Sequence, residues 1–139
     1  MPPEEPSPDS PSEGRDKRPL VLVAEDDEDI RSVFEMVLAE RYDVKCAATG
    51  AEALAIAAVS RPAVVLLDWT LPDASGGDVA AGLRAIRPDF AKLPIVIVSG
   101  TSTVKTLAAR IGAVPCPKPC DVNQLMSAIE RALDPARQP

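Results

Sequence analysis

Short apolar runs alternate along the chain with segments in which apolar residues recur every three or four positions. The runs occupy residues 20–24, 44–47, 63–67 and 94–98, and they are mostly continuous and rich in β-branched residues. Continuous runs of this length are typical of strands that are buried on both faces of a parallel sheet. A shorter run at 114–117 completes a set of five predicted strands.

The segment after the first run has the periodicity of an amphipathic helix. Its apolar residues recur at intervals of three and four, which predicts one buried face and one polar face. The predicted buried face consists of Ile30, Val33, Phe34, Val37 and Leu38, and the polar side includes Arg31, Glu35 and Glu40.

Four further helices are predicted from the same periodicity and from residues that favour helix ends. Thr49 and Glu52 have capping-box spacing at the start of the second helix, and Gly112 is placed to end the fourth. Asp121 and Gln124 have capping-box spacing at the start of the fifth. The residues of the fifth helix that are predicted to face inward are Val122, Leu125 and Ile129.

This alternation predicts an α/β fold, a doubly wound parallel sheet of five strands with helices on both faces. Ligands of such sheets bind at the carboxyl ends of strands, where the strand order reverses. In the order 2-1-3-4-5, that point lies between the first and the third strand.

Composition limits the size and the partners of the protein. The 139 residues, 46% of them hydrophobic, suffice for one domain with a core. We expect a disordered, proline-rich and acidic tail at 1–18, the folded domain at 19–134 and a short second tail at 135–139. The net charge of -6 disfavours nucleic acid as a partner, and the lack of histidine excludes zinc sites built on imidazole.

No apolar run approaches the roughly 20 residues that a membrane span needs, and the start of the chain is unlike a signal peptide. The three cysteines, Cys46, Cys116 and Cys120, are odd in number and lack C-x-x-C spacing, which favours a reduced setting over a disulfide framework. Cys116 and Cys120 could still approach each other. We therefore expect a cytoplasmic protein without a membrane partner.

Carboxylates close two of the predicted strands. Glu25 and Asp26 follow the first run, and Asp68 follows the third, so neighbouring strands would bring the three acids into one crevice. Two carboxylates 4 Å apart repel by roughly 4 kcal/mol at an effective dielectric constant near 20. A hard divalent cation is the usual reason for such a cluster. Because Ser99 and Lys118 end two further runs, the set favours a site that handles a phosphoryl group.

Over residues 20 to about 133, the chain resembles the receiver domains of two-component response regulators, the CheY-like group. The resemblance rests on four motifs in the expected order: VLVAEDDEDIR, VVLLDWTLP, PIVIVSG and PKP. It implies a (βα)5 flavodoxin-like fold and a phosphoacceptor. Because the chain ends at Pro139, soon after the fifth predicted helix, we expect a single-domain response regulator that signals through protein contacts. Such a protein catalyses only its own phosphorylation and dephosphorylation and is not otherwise an enzyme.

The resemblance also implies residue roles. Glu25 and Asp26 match the acidic pair that holds Mg²⁺, and Asp68 matches the aspartate that accepts the phosphoryl group from a histidine kinase or a phosphotransfer protein. Thr70 matches a position whose backbone carbonyl binds the same metal ion.

Two further positions match residues that contact the phosphoryl group. Ser99 matches the hydroxyl that moves toward it, and Lys118 matches the lysine that pairs with it. The bond from Lys118 to Pro119 is predicted to be cis. Trp69 is predicted to be a lid or a packing residue whose fluorescence reports metal binding.

The fifth strand departs from the family pattern. Receivers usually carry a switch aromatic there, whereas this chain has Val114, Pro115, Cys116 and Pro117. We therefore expect an unusual partner surface on the fourth helix, fifth strand and fifth helix. Thr70 and Thr101 offer no carboxylate or amide to orient water, which predicts slow self-hydrolysis.

Three alternatives stay open. A degenerate receiver would bind its partner without phosphorylation. A hydrolase of the haloacid dehalogenase type would need a second aspartate where the chain has Thr70. A flavodoxin-type FMN binder is disfavoured because an acidic crevice would repel the flavin phosphate.

Overall fold

The computed structural model describes residues 18–134. The two predicted tails therefore lie almost wholly outside the described residues, and the predicted boundaries of the folded domain stay predictions. The strands are β1 (Leu20–Ala24), β2 (Asp43–Ala47), β3 (Val64–Asp68), β4 (Ile95–Ser99) and β5 (Val114–Pro117). The helices are α1 (Glu28–Leu38), α2 (Gly50–Ala58), α3 (Gly76–Arg84), α4 (Val104–Arg110) and α5 (Val122–Leu133).

All five strands are parallel and form one sheet in the order β2-β1-β3-β4-β5, as predicted. β5 lies at an edge of this sheet, where the missing backbone N–H groups of Pro115 and Pro117 can be tolerated. Within residues 18–134, no helix is long and apolar enough to span a membrane.

Alternate residues of the central strands pack into two separate cores, because successive side chains of a strand point to opposite faces. In β1, Leu22 belongs to the core beneath α2, α3 and α4, whereas Val21 and Val23 belong to the core beneath α1 and α5. Every residue of β3 and β4 is buried. The continuous apolar runs of the sequence therefore have their expected origin in a sheet covered on both sides.

The predicted capping box is complete at the start of α5 and only half formed at the start of α2. Asp121 and Gln124 form a complete capping box at α5. At α2, Thr49 accepts a hydrogen bond from the backbone N–H of Glu52. The Glu52 carboxylate, however, accepts from the N–H of Ala48 at 2.7 Å instead of closing the box on Thr49.

Two predicted core residues are exposed. Val33 of α1 is 50% exposed and Val122 of α5 is 51% exposed. The prediction that both face inward is wrong, because periodicity gives the side of the helix on which a residue lies. It does not show whether a neighbouring element covers that residue. The buried positions of these helices are Phe34 and Leu38 in α1, and Leu125 and Ile129 among others in α5.

Strands β3 and β4 begin and end one residue later than the apolar runs. Asp68 is paired with Val98, and Ser99 is paired with Pro117, so both polar residues are the last members of their strands. Their backbones are consequently held by the sheet and not by a loop.

Candidate functional site

Four strand ends meet at one edge of the sheet and bring the predicted side chains together. Glu25 follows β1 and donates its backbone N–H to Ala47 at the end of β2. Lys118 follows β5 and donates its N–H to the carbonyl of Ser99 at 2.8 Å. Asp68 and Ser99 are the last residues of β3 and β4, so the sheet itself sets the spacing of the site.

Three carboxylates form the floor of an open cleft of about 440 Å³. One carboxylate oxygen from each of Glu25, Asp26 and Asp68 lies within 4.8 Å of the other two. Glu25 is 2% exposed and Asp68 is 6% exposed, whereas Asp26 is open to solvent. Thr70, Ser99 and Lys118 also line this cleft, so all six predicted residues border the same space.

Lys118 is the cation of the cleft. Its Nζ atom lies 3.2 Å from Oδ2 of Asp68 and 3.6 Å from Oε1 of Glu25. Burial disfavours the ammonium, but the charges of Asp68 and Glu25 outweigh this effect and raise the pKa of Lys118. The peptide bond from Lys118 to Pro119 is cis, as predicted.

Glu25 is incompletely satisfied by protein groups. Its Oε2 atom accepts from the N–H of Asp27 at 3.1 Å, but Oε1 has no hydrogen-bond partner among residues 18–134. The 3.6 Å separation from Lys118 is too long for a hydrogen bond. Burial, with the nearby charge of Asp68, raises the pKa of Glu25 to about 7. A buried carboxylate oxygen without a hydrogen bond, beside two more carboxylates, suits a hard cation such as Mg²⁺.

Hydrogen bonds between residues two positions apart organise the loops at the cleft. The N–H of Thr70 donates to Oδ1 of Asp68 at 3.2 Å. The hydroxyl of Ser99 donates to Oγ1 of Thr101 at 3.2 Å, and Thr101 in turn contacts the hydroxyl of Thr103 at 3.2 Å. Ser99 is therefore tied to the loop that leads into α4.

Trp69 packs against the start of α3. A Cβ atom added at Gly77 would lie 3.0 Å from Cη2 of its indole ring. Gly76 is tighter still, since a Cβ atom there would lie 2.9 Å from Cα of Trp69 and 3.1 Å from the carbonyl of Asp68. Trp69 is thus a packing residue and does not line the acidic cleft. The adjacent glycines Gly76 and Gly77 are a sequence signal that could have indicated this close approach, because glycine has no Cβ atom.

Two residues that sequence reasoning missed hold the loops of the site. Arg31, assigned to the polar side of α1, donates to the carbonyls of Glu25 at 2.9 Å and Asp26 at 3.4 Å. Asp73 accepts from the N–H groups of Gly50 at 2.8 Å and Ala51 at 2.9 Å, and these bonds lower its pKa. Unlike a helix cap, neither contact has a fixed sequence spacing, because the backbone partners lie in other elements or loops.

An apolar groove adjoins the acidic cleft. It has a volume of about 490 Å³ and lies between α1 and the segment that joins β5 to α5. Lys118 and Ile30 border both spaces. The other residues of the groove include Val33, Phe34, Pro119 and Cys120.

The comparisons with known proteins point to one family. A family model described as the response regulator receiver domain matches residues 21–130. The DNA-binding transcriptional regulator NtrC of Azospirillum brasilense is 34% identical over 118 residues, which are 82% of this chain and 24% of that protein. The transcriptional regulatory protein KdpE of Mycobacterium tuberculosis is 36% identical over 118 residues, which are 82% of this chain and 50% of that protein. The chain thus spans a quarter to a half of these curated relatives.

Solved structures of similar fold belong to the same family. The chemotaxis response regulator CheY4 of Vibrio cholerae has a TM-score of 0.78 and 26% identity, over 84% of this chain and 100% of that one. A CheY-like receiver domain protein of Methanospirillum hungatei has a TM-score of 0.75 and 26% identity, over 85% of this chain and 95% of that one.

Proposed function

Because the chain belongs to the response regulator receiver family of two-component signalling, we propose that it accepts a phosphoryl group on Asp68 and signals through protein contacts. The observation that carries this proposal is the placement of Asp68. Its carboxylate ends a fully buried strand, borders an open cleft and faces the ammonium of Lys118 at 3.2 Å.

Glu25, Asp26 and Asp68 would hold Mg²⁺ in the cleft, with the backbone carbonyl of Thr70 as a further ligand. The clustering of three carboxylates within 4.8 Å and the lack of a hydrogen-bond partner for Oε1 of Glu25 among the described residues support this assignment. When bound, Mg²⁺ supplies positive charge that neutralises the phosphoryl oxygens.

Phosphoryl transfer asks the protein mainly for alignment and charge neutralisation. An oxygen of the Asp68 carboxylate attacks the phosphorus of a phosphohistidine on the donor. The new O–P bond forms as the N–P bond breaks, and the imidazole leaves with the bonding pair and takes a proton. Lys118 offsets the charge that the phosphoryl group brings into the cleft.

The donor in this proposal is a histidine kinase or a phosphotransfer protein, and the receiver of the signal is another protein. Movement of the Ser99 hydroxyl toward the phosphoryl oxygens would break its bond to Thr101 and so disturb the entry to α4. The surface of α4, β5 and α5 is therefore the proposed output face. Slow self-hydrolysis and single-domain action stay predictions.

The test is intact-mass analysis after incubation with Mg²⁺ and acetyl phosphate. The wild type should gain the mass of one phosphoryl group only when Mg²⁺ is present, and Asp68→Ala should gain none. Asp43→Ala, which changes an exposed acid at the start of β2, is the matched control and should behave as the wild type. A folded wild type that stays unmodified, with acetyl phosphate or with a phosphorylated donor protein, would instead support the degenerate receiver.

A further inference from the structure

Helix α4 differs from the other α-helices of residues 18–134 at its start. At α1, α2, α3 and α5, the side chain of the residue before the helix accepts from a backbone N–H three residues later. Thr103 holds this position before α4, but its hydroxyl makes no such bond. The N–H three residues later is that of Thr106, and the first N–H groups of a helix have no partner within the helix.

The hydroxyl of Thr103 is engaged in a different contact. Its oxygen lies 3.2 Å from Oγ1 of Thr101. Ser99 holds Thr101 in turn, because its hydroxyl donates to Oγ1 of Thr101 at 3.2 Å and accepts from the N–H of Thr101 at 3.1 Å. Ser99 and Thr101 line the acidic cleft. Three hydroxyls therefore form a chain from the cleft to the start of α4, which we call the hydroxyl chain.

The backbone of Thr103 is turned away from the conformation of a capping residue. The residues that cap the other four helices have ψ angles from 119° to 176°, whereas Thr103 has φ -99° and ψ 14°. This conformation belongs to a turn in which the N–H of Val104 donates to the carbonyl of Thr101 at 3.4 Å. The bond is longer than the usual 2.7–3.2 Å, so little opposes a rotation about ψ of Thr103.

We propose that the hydroxyl chain is a capping switch for α4. While Thr101 holds the hydroxyl of Thr103, the start of α4 stays without a side-chain cap. When Thr101 releases this hydroxyl, Thr103 turns to the extended conformation and accepts from the N–H of Thr106. A local side-chain hydrogen bond and a helix cap thus compete for one threonine hydroxyl.

Phosphorylation is the event that would operate the switch. Movement of Ser99 toward the phosphoryl oxygens removes both of its bonds to Thr101, which frees Thr101 and then Thr103. This step rests on the proposed function, whereas the competition between the two bonds of Thr103 does not. The signal at the output face is then an ordered first turn of α4, whose Lys105 and Thr106 are exposed. Such a signal needs no aromatic side chain in β5, and β5 has none.

The first experiment measures amide hydrogen exchange by NMR on the full, unphosphorylated chain. Thr101→Val keeps the shape of the side chain and removes the hydroxyl that holds Thr103. The N–H of Thr106 should then exchange at least about threefold more slowly than in the wild type, since one cap bond protects it. Adding Thr103→Val to this variant should restore the wild-type rate. Ser102→Ala is the matched control, because it removes an exposed hydroxyl between the two threonines, and it should leave the rate unchanged.

The second experiment repeats the measurement after incubation with acetyl phosphate and Mg²⁺, and intact mass follows phosphoryl uptake in the same sample. In the wild type, uptake should slow the exchange of Thr106 by a similar factor. Thr103→Val should take up the phosphoryl group without this slowing, whereas Thr103→Ser, which keeps a hydroxyl, should show it.

The outcomes separate the switch from the proposed function. An unchanged rate at Thr106 in folded Thr101→Val would overturn the switch, and so would equal slowing in phosphorylated Thr103→Val. Circular dichroism checks folding, and Ser99→Ala, which frees Thr101 from the cleft side, is the second variant that should slow Thr106. If Thr101→Val slows Thr106 but the wild type takes up no phosphoryl group, the proposed function is overturned and the switch is not.

Discussion

Single residues set the shape of the loops around Asp68, and Asp73 is the clearest case. Its two carboxylate oxygens accept from adjacent N–H groups, those of Gly50 and Ala51, at the start of α2. The loop between β3 and α3 is thereby tied to another element. A carboxylate at this helix end is also favoured by the helix dipole.

Asp73→Asn should lower the melting temperature at neutral pH, since an amide can accept from one N–H but turns its own NH₂ toward the other. The pKa of Asp73 is lowered from its ordinary 3.8 in the folded state, so its contribution is fully present above that pH. As the pH falls below 3.8 through the lowered pKa, the wild type loses the contribution. Thermal melts should therefore show the gap between the two proteins closing in acid. Asp43→Asn changes an exposed acid and should melt near the wild-type temperature at every pH. If the difference between the wild type and Asp73→Asn persists in acid, this explanation is contradicted.

Gly76 is the second residue whose identity is fixed by contact. Gly76→Ala should destabilise the protein, because the new Cβ would lie 2.9 Å from the Trp69 backbone and overpacking costs about 1–3 kcal/mol. The helix gain of about 0.5–1 kcal/mol for alanine over glycine does not offset this.

Gly82→Ala is the matched control within the same helix. Its Cβ would meet Cδ2 of Leu54 at 3.1 Å, and the end of a leucine side chain can move aside. Urea unfolding should show a loss of stability for Gly76→Ala and little change or a gain for Gly82→Ala. Equal effects at the two glycines would refute the backbone clash.

At the scale of elements, Arg84 connects three parts of the fold. From the end of α3 it donates to the carbonyl of Leu93 before β4 at 3.2 and 3.0 Å. It also donates to the carbonyls of Ile111 and Gly112 at the end of α4. Ile111 and Gly112 directly follow α4, so these bonds hold the chain at the point where the helix ends.

Arg84→Gln should destabilise the protein by about 1–3 kcal/mol, because it leaves partly buried carbonyls without donors. Arg110→Gln changes an exposed arginine in the last turn of α4 and should cost much less. Urea unfolding measures both. Backbone hydrogen exchange in Arg84→Gln should increase first in α4. Unchanged exchange there would argue against a role of Arg84 in holding the end of α4.

The elements also show what the sequence could predict. The positions of the strands and helices follow from apolar runs and periodicity, which are local patterns. The strand order, and with it the convergence of Glu25, Asp68 and Lys118, came from the resemblance to a known fold. The contacts of Arg31, Asp73 and Arg84 are made to backbone atoms outside the elements that carry these side chains, and no side-chain pattern encodes such partners. The exposure of residues such as Val33 depends on how much of the helix a neighbouring element covers. The periodicity of apolar residues gives no information about that.

At the scale of the whole molecule, the sheet brings three carboxylates together at the carboxyl ends of its strands, where they repel one another. Mg²⁺ should raise the melting temperature by relieving the repulsion among Glu25, Asp26 and Asp68. At a metal concentration of 100 times Kd, binding would add about 2.7 kcal/mol. A chelator should reverse the gain.

Asp26→Asn should show a much smaller gain from Mg²⁺, whereas Asp43→Asn should keep the full gain. Asp26→Asn removes a proposed metal ligand. Asp43→Asn removes an exposed acid at the start of β2, whereas the cleft lies at the carboxyl ends of the strands. Equal gains in the two variants would mean that Mg²⁺ acts elsewhere.

Of the three clustered carboxylates, Asp68 is the one that we propose carries the phosphoryl group. The most direct test is to phosphorylate the wild type with acetyl phosphate and Mg²⁺, reduce the acyl phosphate with borohydride and sequence the peptides by mass spectrometry. We predict that homoserine appears at position 68 alone. Reduction at Glu25 or Asp26 instead, or a phosphoryl group that resists borohydride because it is not an acyl phosphate, would contradict the account.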